Sequence, residues 1–256
     1  MLVVRREQYA ALERAALRRV QAEMAEYGKQ LSPDLCRVLG EQQLNIALRQ
    51  AMERAAGYGF TNRGPIRLYV ELMFFWGSDF DTDPMYPVVG ELLRSRAFQM
   101  ERAERIHEQY VYYLDRVCGP DNINVHKSWE SLSRFLRDEN IISVGNLDTS
   151  LMQEMTRAFP QRAAYLGNES LAALIRQAYA DARTYGLSAP EAVVLLTTLK
   201  FIFGHGCAHD PLYPWISRTL TDKRIVDSAA RAVRMKRKMI SWLDRVLARL
   251  SQGPGT

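Results

Sequence analysis

Two short stretches concentrate the side chains best suited to chemistry. The first, Ser78-Asp79-Phe80-Asp81-Thr82-Asp83-Pro84, spaces three carboxylates two residues apart, as the opening of a calcium loop does. Such a loop needs glycine at its sixth position and a bidentate glutamate at its twelfth, where this chain has Pro84 and Gly90, so the ligand set is incomplete. The second, Gly204-His205-Gly206-Cys207-Ala208-His209-Asp210-Pro211, puts two imidazoles and a thiol in one loop, donors that suit zinc. It lacks a fourth ligand at a zinc-site spacing, and Cys207 has no third group to orient a base beside it as a thiol nucleophile requires. A metal-dependent enzyme or toxin would use Asp79/Asp81 or His205/Cys207/His209. The competing reading is a pair of polar loops between helices, with Asp83 and Asp210 as an N-cap and Pro84 and Pro211 opening a short helix. The polar-loop reading is preferred, and no catalytic residue, metal or cofactor is expected.

Lys223, Arg224, Arg231, Arg234, Lys236, Arg237 and Lys238 form the one dense basic cluster. A charge run of this kind is usually a solvated helix face. Its functional reading is docking to an acidic protein surface, ahead of nucleic acid, since no nucleic-acid motif or phosphate-cradling glycine loop accompanies it. Trp215, after Tyr213-Pro214, is placed to edge a partner groove. Trp76, Phe74, Phe75, Phe201 and Phe203 fall on strongly apolar segments and read as core, and His107 and His126 stand alone.

What would position these residues is a repeat. Tyr58-Gly59, Gly77, Asp83-Pro84 and Tyr86-Pro87 recur 127 residues later as Tyr185-Gly186, Gly204, Asp210-Pro211 and Tyr213-Pro214. Between Pro33 and Pro87 eighteen of fifty-five positions are identical at this offset, without a gap. With the offset slipping to 129, Leu114-Asp115-Arg116-Val117 matches Leu243-Asp244-Arg245-Val246. Shared composition scatters alanine matches but does not order glycine, Asp-Pro and Tyr-Pro, so the pattern reads as a tandem duplication.

The elements are helical. Residues 41–57 and 168–183 carry apolar residues at helical spacing and run into Tyr-Gly, where glycine can take the positive φ of a helix end. The apolar segments Pro65–Trp76 and Pro190–Phe203 predict a central helix for each half, the second opened by a Ser188/Glu191 capping box. Gly77 and Gly204 stop them. Amphipathic helices are predicted over residues 1–29, 98–117 and 222–250, the last with an apolar stripe under a basic face. The expectation is an all-α fold of two tandem helical repeats in a pseudo-twofold structure: residues 1–119, a connector at 120–127, and residues 128–256.

Composition agrees. A chain of 256 residues, 47% hydrophobic and 25% charged, buries a full core and is no disordered or collagen-like segment. Its net charge of +5 permits an acidic partner without requiring one. Cys36, Cys118 and Cys207 are odd in number and in no CxxC spacing, which argues against a disulfide framework. The start, Met1-Leu-Val-Val-Arg-Arg, lacks a signal-peptide core, and residues 192–203 are too short to span a bilayer, so a cytoplasmic location with reduced thiols is expected.

Tyr58-Gly-Phe, Glu71-Leu-Met-Phe and Gly77-Ser-Asp-Phe-Asp-Thr-Asp-Pro84, behind the opening Val3-Val4-Arg5-Arg6-Glu7-Gln8, resemble a group of small helical proteins from type VI secretion gene clusters, which lie beside VgrG spike, PAAR tip and effector genes. The resemblance covers residues 1–95 best. It implies a non-enzymatic accessory role: an adaptor or co-chaperone that loads a toxic effector onto the spike, its partner being the effector, a VgrG/PAAR component or another chaperone. Such clusters also encode immunity proteins, so neutralising a neighbouring toxin is the alternative.

Overall fold

The computed structural model describes residues 6–137, 147–187 and 189–250, with side chains from residue 15 onward. Eleven α-helices and no strand occur among them. The first half contains α1 (Arg6–Leu31), α2 (Pro33–Gly57), α3 (Arg63–Trp76), α4 (Pro87–Arg94) and α5 (Gln99–Tyr113), the last running into a π-helical turn, Leu114–Cys118. The second contains α6 (Ile123–Arg137), α7 (Leu147–Ala158), α8 (Pro160–Thr184), α9 (Pro190–Phe203), α10 (Pro214–Leu220) and α11 (Ser228–Leu250).

Backbone conformation recurs at the spacing of the sequence repeat. α2 and α8 are each broken by a glycine, Gly40 (φ 74, ψ 163) and Gly167 (φ 74, ψ 165), and each ends at Tyr-Gly with Gly59 and Gly186 at positive φ. α3 and α9 both stop at a glycine, Gly77 (φ 95, ψ 161) and Gly204 (φ 92, ψ 158). Tyr86 and Tyr213 share the same non-helical turn before the prolines that open α4 and α10. All twelve residues from Ala192 to Phe203 are buried, making α9 the central helix of its half; from Pro65 onward α3 is buried except at Arg67, Glu71, Phe74 and Phe75. One continuous apolar core runs through both halves.

Several expectations are corrected. Asp83 and Asp210 do not cap a helix: α4 and α10 begin at Pro87 and Pro214, because the two carboxylates are committed elsewhere. The predicted connector 120–127 is a single 3-10 turn, Pro120–Asn122, after which α6 begins at once. Residues 222–227 precede α11 rather than belonging to it, and the Asp227 carboxylate caps α11 by accepting from the N–H groups of Ala229 (3.2 Å) and Ala230 (3.0 Å). Phe75 is 40% exposed rather than core. The Ser188 of the capping box lies outside the described residues.

The two Asp-Pro loops cross at the centre of the molecule. The Asp83 carboxylate accepts from the backbone N–H of His205 (2.8 Å), and the Asp210 carboxylate accepts from the backbone N–H of Ser78 (2.8 Å), the position matching His205. Each also accepts from an N–H two residues ahead, Met85 (2.8 Å) and Leu212 (2.7 Å). Gly77 and Gly204 permit this approach: a Cβ on Gly77 would be driven into the carbonyl oxygen of Phe203, and one on Gly204 would lie 2.5 Å from that of Trp76. The matched motif Gly77, Asp83, Pro84, Tyr86, Pro87 and its partner Gly204, Asp210, Pro211, Tyr213, Pro214 thus joins the halves.

Candidate docking groove

The candidate chemical loops are occupied by structural work. Arg54, from α2, ion-pairs with both Asp79 and Asp81, and Asp81 also accepts from the Tyr69 hydroxyl (2.9 Å). A guanidinium therefore fills the place a cation would take between those carboxylates. In the second loop, the His205 imidazole lies against the Asp79 carbonyl and the Thr82 hydroxyl, both at 3.1 Å, and His209 lies 3.5 Å from the Tyr185 hydroxyl. Cys207 is buried, which pushes its thiol up to about 12 and leaves it protonated and unreactive. Among the described residues no three His, Cys, Asp or Glu side chains converge as a metal site.

The basic cluster divides into groups with different fates. Arg231 is a structural latch: it donates to the carbonyls of Tyr185 (2.7 Å), Leu220 (3.3 Å) and Ile225 (3.1 Å). Arg102 does the same in the first half, reaching the carbonyls of Leu93 (2.5 Å) and Tyr58 (2.8 Å). Those carbonyls match Leu220 and Tyr185 at the 127 offset, and the two arginines match at 129. Arg224 chelates Asp222 and holds its carboxyl down to about 2, with Arg234 at 3.4 Å from the same carboxylate. Lys238 donates to Thr219 (2.9 Å), and its pKa is lowered by burial and then by Arg234 beside it. Lys223 and Arg237 are exposed and Lys236 half-buried. Successive residues turn 100° around a helix, so Lys236 and Arg237 leave α11 on other sides than Lys238. The seven residues do not form one surface.

A different surface is continuous. A groove of about 540 Å³ lies between the start of α2 and the α10–α11 pair. Its floor holds Phe74, Tyr213, Trp215 and Trp242; its rim holds Leu31, Val38, Arg218, Arg245 and Arg249. Val38 is 66% exposed. Trp215 stands edge-on to Phe203 (centroids 6.0 Å apart), and Trp242 packs on the same ring at 4.7 Å, which fixes both indoles. Arg249 ion-pairs with Asp34, whereas Arg218 and Arg245 have no carboxylate partner among the described residues. Arg231, Arg234, Lys238, Arg245 and Arg249 recur at three-, four- and seven-residue spacing, so they share one side of α11 that continues into the groove.

Of the partner-binding candidates singled out from sequence, only Trp215 lines this groove, beside Phe74, Tyr213 and Pro214, which the sequence marked as core or repeat-motif residues. Trp242, Arg218, Arg245 and Arg249 were missed, although the spacing of the α11 arginines carried the signal. At the matching positions of the other half larger side chains stand. There Tyr165 takes the position of Val38 and packs on Tyr113 (4.9 Å), while Arg162 takes that of Leu35 and donates to the Tyr86 hydroxyl (2.9 Å). Two larger side chains close one site, and two smaller ones leave the other open.

Among the described residues no helix is long and apolar enough to cross a membrane. No protein-family model, curated protein or solved structure matches the chain.

Proposed function

We propose that this protein is a non-enzymatic docking protein whose α2/α10/α11 groove receives an acidic segment of a protein partner, anchored by an apolar side chain on Trp215 and Trp242. The observation that carries this reading is the open indole-floored groove with two unpaired arginines on its rim, at a place where the matching site is filled. Rigid aromatic floors with arginine at the edge are the usual composition of binding hot spots. The role is the one the sequence resemblance implies: a cytoplasmic adaptor or co-chaperone of type VI secretion, its partner an effector, a VgrG/PAAR spike component or another chaperone. We further infer that the chain arose by tandem duplication and that the halves have since diverged on their outer faces. This reading is supported by the backbone angles that recur at the 127-residue offset.

The test is affinity capture by the full chain from cells expressing the neighbouring gene cluster. Arg218→Glu with Arg245→Glu should reduce recovery of the partner at least about tenfold, since each reversal turns an attraction into a repulsion. Lys236→Glu with Arg237→Glu should leave recovery within about twofold. Equal recovery from both double variants removes the groove from the function.

A further inference from the structure

Among the described residues the first half shows no helix in the place that α6 takes in the second. In the second half α6 lies across α11 and α7, with Leu132, Phe135 and Leu136 buried, Trp129 edge-on to Trp242 (5.4 Å) and Arg137 ion-paired to Asp244. In the first half the matching place, between α1, α3 and α5, is an open trough. A cavity of about 640 Å³ lies between the three helices, and at His107 it meets a shallow hollow of about 520 Å³ along α5 and the π-helical turn alone. Val111 is 48% exposed there, whereas Ile240, its match on α11, is packed against the core.

The trough is acidic. Glu101, Glu104, Glu108 and Asp115 line it and none has an ion-pair partner among the described residues; the Arg67 guanidinium sits over the Tyr27 ring at 3.9 Å. Met100 and Val111 give it an apolar floor.

The chain carries a helical arm of matching charge. From residue 20 onward α1 covers the register that α7 covers in the second half, but it continues a further fourteen residues, back to Arg6. Ala15, Ala16, Leu17, Arg18 and Arg19 are all exposed, so over this turn of α1 every side faces solvent. Residues 6–19 hold four arginines and two glutamates, a basic balance like that of α6, which has Lys127, Arg134 and Arg137 against Glu130. At 1.5 Å per residue the arm is about 21 Å long and the trough from Met100 to Asp115 about 22 Å. No glycine or proline occurs from Arg6 to Tyr27, so the helix has no hinge at which to fold back on its own trough.

We propose that two copies of this chain associate by exchanging arms, the basic N-terminal half of α1 from one copy lying in the acidic α5 trough of the other. Light scattering on the full chain should give twice the 29.3 kDa protomer mass at high concentration and low salt, with dissociation as salt rises. Glu104→Arg with Glu108→Arg should raise the dissociation constant about tenfold or more, and adding Arg18→Glu with Arg19→Glu should restore it. When a Leu17→Cys chain is mixed with a Val111→Cys chain, a short bis-maleimide should link them, and neither variant should link to itself. A monomer at all concentrations, a dimer indifferent to the charge reversals, or Leu17→Cys chains linking to each other through paired arms would overturn the proposal.

Discussion

The crossing of the two Asp-Pro loops makes a quantitative claim about Gly77. At φ 95 and ψ 161 its backbone lies where only glycine is comfortable, and alanine there costs about 1–3 kcal/mol from conformation alone. Gly40, at φ 74 and ψ 163, carries the same kind of penalty, but a Cβ there meets nothing within 4 Å. Gly40→Ala therefore measures the backbone cost in isolation. Gly77→Ala must in addition push the end of α3 away from Phe203 and weaken the bonds from Ser78 to Asp210 and from His205 to Asp83. Each is charge-assisted and worth about 1.5–3 kcal/mol, which brings the total to roughly 4–9 kcal/mol. That is most of the 5–15 kcal/mol by which a typical domain is stable. Urea unfolding followed by far-UV circular dichroism should show a modest fall in midpoint for Gly40→Ala and a collapse for Gly77→Ala and Gly204→Ala. The double variant should cost less than the sum, because both substitutions open one contact. If Gly77→Ala and Gly40→Ala differ by less than about 1 kcal/mol, the two loops do not meet as described.

Two further predictions concern Asp210 at this crossing and Arg231 outside it. Burial pushes the Asp210 carboxyl up to about 6 against 3.8 when unfolded, so the folded state binds its proton more tightly. This group therefore adds stability as pH falls from about 6 to about 4 and loses it as pH rises through that window; wild type should gain on Asp210→Asn by up to about 3 kcal/mol between pH 7 and pH 4, and a constant gap would contradict the burial of that carboxylate. Arg231→Ala, which orphans three carbonyls, should cost about 3 kcal/mol in urea unfolding, while Lys236→Ala should stay within about 0.5 kcal/mol.

The helices were legible because their apolar segments and stop signals are local. Gly77 and Gly204 end helices as their sequence context predicts, and Tyr-Gly closes α2 and α8. What was illegible depends on contacts across the chain. Asp83 and Asp210 carry a strong capping signature, yet each carboxylate bonds a loop more than 120 residues away. Arg231 looked like one more surface cation in a basic run; only the carbonyls it satisfies, at the ends of other helices, distinguish it from Arg237. The groove could not be read because openness depends on side-chain size at positions that face each other in space, Val38 against Trp242 in one half and Tyr165 against Tyr113 in the other.

Those pairs also separate shape from function. Gly77/Gly204 and Asp83/Asp210, identical at the 127 offset, meet where the halves join, and their contacts are reciprocal, so displacing one loop disturbs the other. Away from that junction several matched positions differ in size or charge on the outer faces. Leu35 and Val38 stand opposite Arg162 and Tyr165; Arg54, neutralised by Asp79 and Asp81, stands opposite Asp181, neutralised by Lys200. A protein that used both halves alike would keep two grooves and two covered troughs. This one keeps a basic groove open in one place and an acidic trough open in another, so the two proposed docking surfaces differ in charge and call for occupants of opposite sign.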